Sequence, residues 1–367
     1  MGFTAKDVKD LREKTGVGMM DCKKALEAAD GDMDKAIDFL REKGLAAATK
    51  KASRIAAEGV VLAYTNESND VNVLIEVNSE TDFVAKNEKF QNFVRLVAKT
   101  IADKNPASVE ELLTVNLDGS DRTVQENLQD MVLSIGENLQ IRRFERVEGL
   151  AASYIHAGGA VGVLVPVETN ASDIPAVLQM GKNVAMQVAA MTPEYLSKDD
   201  ISADELAKMK SITVESALNT PQTLPKPILK SLIEKACSTK RWSDEDIAIY
   251  EEKKDNMNYL FNFLSEEAPS KLAELANENR DEITSNKIFT GMIEGRVAKQ
   301  LKEMCLLSQD FVRSDLFQGT VEGYVKDVAK KLGADVKVKC FIRFAKGEGI
   351  QKREDNFAAE IASMVNN

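Results

Sequence analysis

Hydrophobic positions along this chain follow two rhythms. From residue 4 to 44 they recur at helical intervals and are cut by glycine, which reads as three short helices. Thr4 with Asp7 approximates a capping box ahead of Val8 and Leu11. Thr15-Gly16 stops the first helix, Met20 to Ala28 carry the second, and Asp30-Gly31 close it. Asp32 caps the third, with Ile37 and Leu40 on one face and Gly44 as its stop. The Ala- and Lys-rich stretch Leu45 to Ala57 reads as a linking helix. Strands that feed helices come next. The apolar run Val71 to Val77 ends at Ser79, and Phe90, Phe93, Val94, Val97 and Ile101 follow at helical spacing. Between them lies a strand-to-helix corner, with Thr81 as its N-cap and Asp82 and Phe83 on the first turn.

The pattern then repeats. A shift of about 90 residues lays Ala63-Tyr64 on Ser153-Tyr154 and Val73 to Val77 on Val163 to Val167. Val97-Ala98 falls near Val188-Ala189. Each copy reads as a hairpin whose second strand feeds a helix, so two similar subdomains are expected. The alternation Val336, Val338, Cys340, Ile342, Phe344 predicts one late strand with a buried face, able to complete the second copy's sheet. Residues 205 to 305 would then be an insertion. It is helical in pattern, charged, and punctuated by Pro221, Pro225 and Pro227. Its apolar stripes are Ile228, Leu229, Leu232, Ile233; then Tyr259, Leu260, Phe261, Phe263, Leu264; then Ile288, Ile293, Val297, Leu301, Met304. Arg353 to Val365 reads as a terminal amphipathic helix carrying Phe357, Ile361 and Val365.

Composition narrows the function. The length of 367 residues suffices for two or more domains. A net charge of −11 argues against direct nucleic-acid binding, because phosphate contacts need concentrated positive charge. No apolar run has bilayer length and no signal-peptide core is present, so a cytoplasmic, non-membrane protein is expected. Lys6 stands where a myristoylation motif needs Ser or Thr. Cys22, Cys237, Cys305 and Cys340 are scattered and read as reduced thiols. His156 is the only histidine, which disfavours His-based zinc sites and His-dependent triads. There is no phosphate-binding Gly-Lys-Ser/Thr loop. Gly158, Gly159 and Gly162 precede the body of an apolar run instead of following it, unlike a dinucleotide fingerprint. Neither a cofactor nor an enzymatic reaction is expected.

Four stretches carry a resemblance. Leu11 to Leu26, including Thr15-Gly16-Val17-Gly18-Met19-Met20-Asp21-Cys22, is similar to the opening of the bacterial elongation factor Ts family. Thr81-Asp82-Phe83-Val84-Ala85-Lys86-Asn87 resembles the family's central signature. Gly136-Glu137-Asn138-Leu139-Gln140-Ile141-Arg142-Arg143 resembles a third stretch. Phe341-Ile342-Arg343-Phe344, Gly347-Glu348-Gly349-Ile350 and Phe357-Ala358-Ala359-Glu360 resemble its C-terminal end. The matches fall in the family's order. The resemblance implies a guanine-nucleotide exchange factor that binds elongation factor Tu·GDP and promotes release of GDP for GTP. The GDP and magnesium would belong to that partner.

With the resemblance, the fold class reads as α+β. A ubiquitin-associated-like three-helix module covers 1–54 and a first α+β subdomain 55–147. The second covers 148–204 and 306–350, the helical insertion 205–305, and a C-terminal helical module 351–367. The family usually has a short helical hairpin in the insertion; this chain carries about seventy residues more, near 216–284.

The candidate contacts each have a plainer reading. Asp82 suits a helix dipole and Phe83, seven residues before Phe90, suits a core. The resemblance instead makes Thr81, Asp82, Phe83 and Val84 a wedge that dislodges magnesium from elongation factor Tu. Met19 and Met20 either cap the small bundle or give the partner an adaptable apolar contact. His156 is either an exposed loop histidine or a contact near the partner's phosphate loop. Arg142 and Arg143 are expected to form an ion pair between subdomains. Trp242, Tyr259, Phe261 and Phe263 are either the extra segment's own core or a homodimer surface. A docking scaffold without exchange activity is the competing reading of the chain.

Overall fold

Capping chemistry sets the first three helices. The computed structural model describes residues 2–351, so the expected C-terminal module over 351–367 and its helix over 353–365 lie outside it but for residue 351. Thr4 and Asp7 exchange bonds at the start of α1 (Ala5–Thr15), and Gly16 ends it at φ 70°. That left-handed conformation is one that glycine adopts without steric cost. α2 (Met19–Ala28) follows, and Asp32 caps α3 (Met33–Lys51) through the amides of Asp34 and Lys35. Val8, Leu11, Val17, Cys22, Leu26 and Leu40 close a small core. Gly44, however, does not stop α3, which continues to Lys51. Gly44 lies outside the left-handed region and is buried, where a Cβ would touch Gln129 and Leu133. Glycine costs an α-helix about 1 kcal/mol relative to alanine. Close packing of Gly44 on Gln129 and Leu133 offsets that cost here, so the helix runs on and no separate linking helix forms.

The two hairpins repeat in space. β1 (Glu58–Thr65) pairs antiparallel with β2 (Val71–Ser79), which leads through α4 (Asp82–Ala85) into α5 (Glu88–Lys104). After α6 (Val109–Thr114) and α7 (Val124–Ile135), β3 (Leu139–Glu148) returns to the free edge of β2. The second copy has β4 (Ala151–His156), β5 (Val161–Thr169) and α8 (Ile174–Met191). β5 starts 90 positions after β2, as the shift predicts. α5 lays Phe90, Phe93, Val94, Val97 and Ile101 on Val73, Ile75 and Val77. On the other sheet face Val61 and Leu74 meet Leu164 and Phe344 of the second copy. Gly181 of α8 covers the far side of that copy, where an added Cβ would meet Ala152 at 2.6 Å. The layers run helix, sheet, sheet, helix.

The expected late strand is two strands, β6 (Val336–Val338) and β7 (Ile342–Ala345), both on β5. Val338 pairs with Val167 and Ile342 with Leu164, so the later chain carries one residue more than β5. Cys340 is exposed there and breaks the alternation. Pro166 explains the break. Its carbonyl accepts from Lys339 at 3.0 Å, but proline has no N–H to return on that edge. The first copy is irregular at the matching place. Arg143 pairs with Glu76 and Ile141 with Val77, which leaves Arg142 as a bulge residue. Ile141 and Phe144 keep to the α5 face, so Arg142 and Arg143 both turn to the inter-sheet face.

A second compact unit comprises Pro193–Asp310 and Thr320–Glu322. It contains α9 (Ala203–Asn219), α10 (Lys226–Ser238), α11 (Asp244–Lys253), α12 (Glu267–Glu278), α13 (Arg280–Thr284) and α14 (Lys287–Met304). The α10 stripe is buried as expected. On α14 the inward stripe is Phe289, Ile293, Val297 and Leu301, while Ile288 is exposed. The aromatic residues divide. Trp242 is buried, donates Nε1–H to the Ala268 carbonyl at 3.0 Å, and meets Tyr250 edge-on. Phe261 packs against the same core. Tyr259 and Phe263 remain 61% and 53% exposed. Residues 257–262 form a 3₁₀ turn, whose three-residue repeat puts Met257 and Leu260 on the inward face and leaves Tyr259 outward. In the other unit, α15 (Val321–Leu332) brings Tyr324 onto Phe311 at 4.2 Å and to Asn183 at 2.7 Å.

Candidate functional site

The corner after β2 is built as a held projection. Ser79 Oγ donates to the Thr81 carbonyl at 2.8 Å. α4 is a single turn, closed by Lys86 and Asn87 amides on the Phe83 and Val84 carbonyls. Asn87 then caps α5 through the amides of Lys89 and Phe90, and Gln91 reaches back to the Ala85 carbonyl. The chain is therefore tied on both sides of residues 82–85. On this turn Phe83 is 78% exposed. The core reading of Phe83 fails, because α4 and α5 are separate helices and the seven-residue spacing to Phe90 does not continue one face. Asp82 is exposed beside it and pairs with Lys86 at 3.0 Å. That hydrogen bond and the Lys86 charge hold the Asp82 carboxyl below the usual aspartate value. Val84 is different from its neighbours. It is buried in the α5–sheet core, so it anchors the turn and does not offer a surface.

Thr81 occupies the N-cap position but does not cap with its side chain. Its hydroxyl donates to Glu137 Oε1 at 2.7 Å, and its amide donates to Glu137 Oε2 at 2.9 Å. Glu80 Oε1 accepts the Asn138 amide at 2.6 Å. Glu137 stands inside a recognised stretch, but nothing in its spacing marks it as a partner of Thr81 fifty-six positions earlier.

Met19 and Met20 open α2, where Gly18 provides no side-chain cap, and they are 44% and 64% exposed. The bundle closes on Val17 and Cys22 without them. His156 ends β4 and is exposed; its Nδ1 lies 3.0 Å from the Tyr154 hydroxyl. Among the described residues, no hydrogen bond, ion pair or ring contact joins Met19, Met20 or His156 to the Asp82–Phe83 corner.

The ion pairs of Arg142 and Arg143 with Glu76 lie within the first copy, and the pair that crosses to the second is Arg143 with Glu348 at 3.3 Å. Glu76 is fully buried and accepts from Arg142 at 3.0 Å, Arg143 at 2.6 Å, Asn78 at 3.1 Å and the Gly347 amide at 2.8 Å. Gly347 has φ 68° and no room for a Cβ against the Ala57 carbonyl. Arg143 and Arg343 continue to Glu348, and Arg143 lies 4.3 Å over the Phe344 ring. Burial opposes ionisation of Glu348, but hydrogen bonds from Arg143 and Arg343, and their charges, leave its carboxyl below the usual value. A depressed folded-state value stabilises above the unfolded value and is lost as pH falls through the folded one. Melting followed by circular dichroism should therefore show a midpoint drop below about pH 4 that is shallower in Glu348→Gln than in the parent. Equal slopes would remove Glu348 from the acid response.

Among the described residues no helix is long and apolar enough to cross a membrane, and no group of three His, Cys, Asp or Glu residues is placed to hold a metal ion.

A family model described as Elongation factor TS matches residues 80–348. Elongation factor Ts of Clostridioides difficile (strain 630) is 42% identical over 366 residues, 99% of each chain. That of Clostridium perfringens (strain SM101 / Type A) is 40% identical over 365 residues, again 99% of each. That of Trichlorobacter lovleyi (strain ATCC BAA-1151 / DSM 17278 / SZ) is 39% identical over 372 residues, 100% of this chain and 99% of the relative. With a model matched over residues 80–348, and relatives matched over nearly the full length, the chain belongs to the elongation factor Ts family, a family of translation elongation factors.

Proposed function

We propose that the chain binds elongation factor Tu·GDP and speeds exchange of GDP for GTP, with the corner at Thr81, Asp82 and Phe83 as the element that enters the partner. The observation that carries this reading is the 78% exposure of Phe83 on a turn tied at both ends. An exposed apolar residue alone is ordinary. A large aromatic held on a one-turn helix beside a carboxylate is suited to displacing groups in another protein. A bound nucleoside diphosphate is held mainly by backbone amides and a magnesium ion. The corner need not touch the nucleotide. It favours a partner conformation in which the magnesium and phosphate-loop contacts are displaced. Coupling is reciprocal, so GTP arriving on the partner weakens the exchange factor by the same factor.

Val84 fixes the turn from below. Met19 and Met20 supply a separate, adaptable apolar contact, and His156 a third near the phosphate loop. No bond is made or broken, so the chain acts as an exchange factor and not as an enzyme. Its net charge of −11 suits a protein partner better than RNA, and the setting is the cytoplasm.

Stopped-flow release of fluorescent GDP from elongation factor Tu, with and without the chain, tests the reading. Release should accelerate with chain concentration and saturate. Binding without acceleration would replace exchange by docking.

A further inference from the structure

The stretch Gly136-Glu137-Asn138 has no part in the exchange reading, yet it grips the corner directly. We propose that Glu137 is a positioning residue for exchange, whose carboxylate fixes Thr81 and so presents Phe83 in a set orientation. This rests on the exchange reading above.

The geometry is a two-way clamp. Both Glu137 oxygens are used on one residue, Thr81, through its amide at 2.9 Å and its hydroxyl at 2.7 Å. The next residues return the contact, with the Asn138 amide on Glu80 at 2.6 Å. Asn138 is itself buried, and its side chain donates to the Arg54 carbonyl at 2.8 Å. Gly136 ends α7 at φ 86° and turns the chain toward the corner. These contacts are needed because α4 has only four residues and receives no side-chain cap. A single helical turn is unstable by itself. The Thr81 hydroxyl that would have capped it is engaged by Glu137 instead. Glu137 and Thr81 are both half-buried, so their contact orders a surface turn without forming part of the core.

A loose corner would still fold and still meet its partner. Part of the binding free energy would then go to ordering the corner. The consequence is a lower saturating exchange rate, with a smaller change in the concentration needed to reach it.

The test is stopped-flow release of fluorescent GDP from elongation factor Tu at varied full-length chain, for the parent, Phe83→Ala, Glu137→Ala, Glu137→Gln and Thr81→Val. Glutamine can keep both contacts, since its amide oxygen accepts the Thr81 N–H and its NH₂ donates to the rotated hydroxyl. Glu137→Ala should lower the saturating rate about tenfold, whereas Glu137→Gln stays within about twofold of the parent. Thr81→Val loses only the hydroxyl arm and should fall between them, which keeps the test open if Glu137→Ala folds poorly. If Phe83→Ala slows release but Glu137→Ala and Thr81→Val do not, the clamp is overturned and the wedge stands. An alanine defect that glutamine does not rescue also overturns the clamp, because hydrogen-bond geometry is then not its cause. If the parent accelerates release but Phe83→Ala has no effect, the wedge assignment of Phe83 fails and the clamp, which acts through it, fails with it; if the parent does not accelerate release, the exchange reading itself fails.

Discussion

Glu76→Ala should lower the unfolding free energy of the sheet-bearing unit by about 3–5 kcal/mol, the range for removing one partner of a buried ion pair. The carboxylate is fully buried between the two sheets and has four hydrogen-bond donors. Its removal leaves the Gly347 amide and two guanidinium groups without their shared acceptor. Both arginines keep other bonds, to the backbone of Ala345 and Glu348, and their side chains are partly exposed. That places the loss toward the lower end of the range. Glu76→Gln should cost less, because it keeps one acceptor and the shape but gives up the charge. Circular dichroism in urea reads the loss for the whole chain. Trp242, the single tryptophan, is buried in the other unit and reports that unit by itself. A fluorescence transition that holds while the dichroism transition falls is the expected result. An unchanged dichroism transition would show that the arginines and glutamate contribute no net stability.

The distribution of what could be read from sequence follows from the range of each interaction. Helix caps are local, so Thr4 with Asp7, Gly16 and Asp32 were legible. The repeat was legible because each hairpin and its following helix carry their own periodicity, and β2 and β5 lie 90 positions apart. Failures came where a distant contact overrode a local signal. Gly44 has the composition of a stop, but burial against Gln129 and Leu133 keeps the helix going. The alternation from Val336 to Phe344 looked like one strand, and Pro166 on the partner strand divides it. Thr81 has the residue type of an N-cap, yet Glu137 takes its hydroxyl from fifty-six positions away. Exposure at the corner depended on the break between α4 and α5, which one Asn cap decides. The same limit applies to the aromatic stretch, where a 3₁₀ turn sends Tyr259 outward and Leu260 inward.

Phe83→Ala should have the largest effect on function with little effect on folding. At 78% exposure the ring removes little apolar surface from water in the free protein. Truncation should therefore change stability by no more than about 0.5 kcal/mol, as for an ordinary surface position. A buried phenylalanine would instead lose about 3–5 kcal/mol on the same change. In the proposed complex the ring would be the bulk that displaces the partner's groups, a volume alanine cannot fill. Release of fluorescent GDP should slow by about a hundredfold at saturation, the scale of a misplaced reacting group. Asp82→Ala should slow it less, because the carboxylate is about half exposed and shared with Lys86. The two measurements must be made on the same preparation: melting by circular dichroism, then exchange by stopped flow. A parent-like melt with slow exchange assigns Phe83 to the partner. A lowered melt with parent-like exchange in the folded fraction assigns it to the fold and removes the wedge.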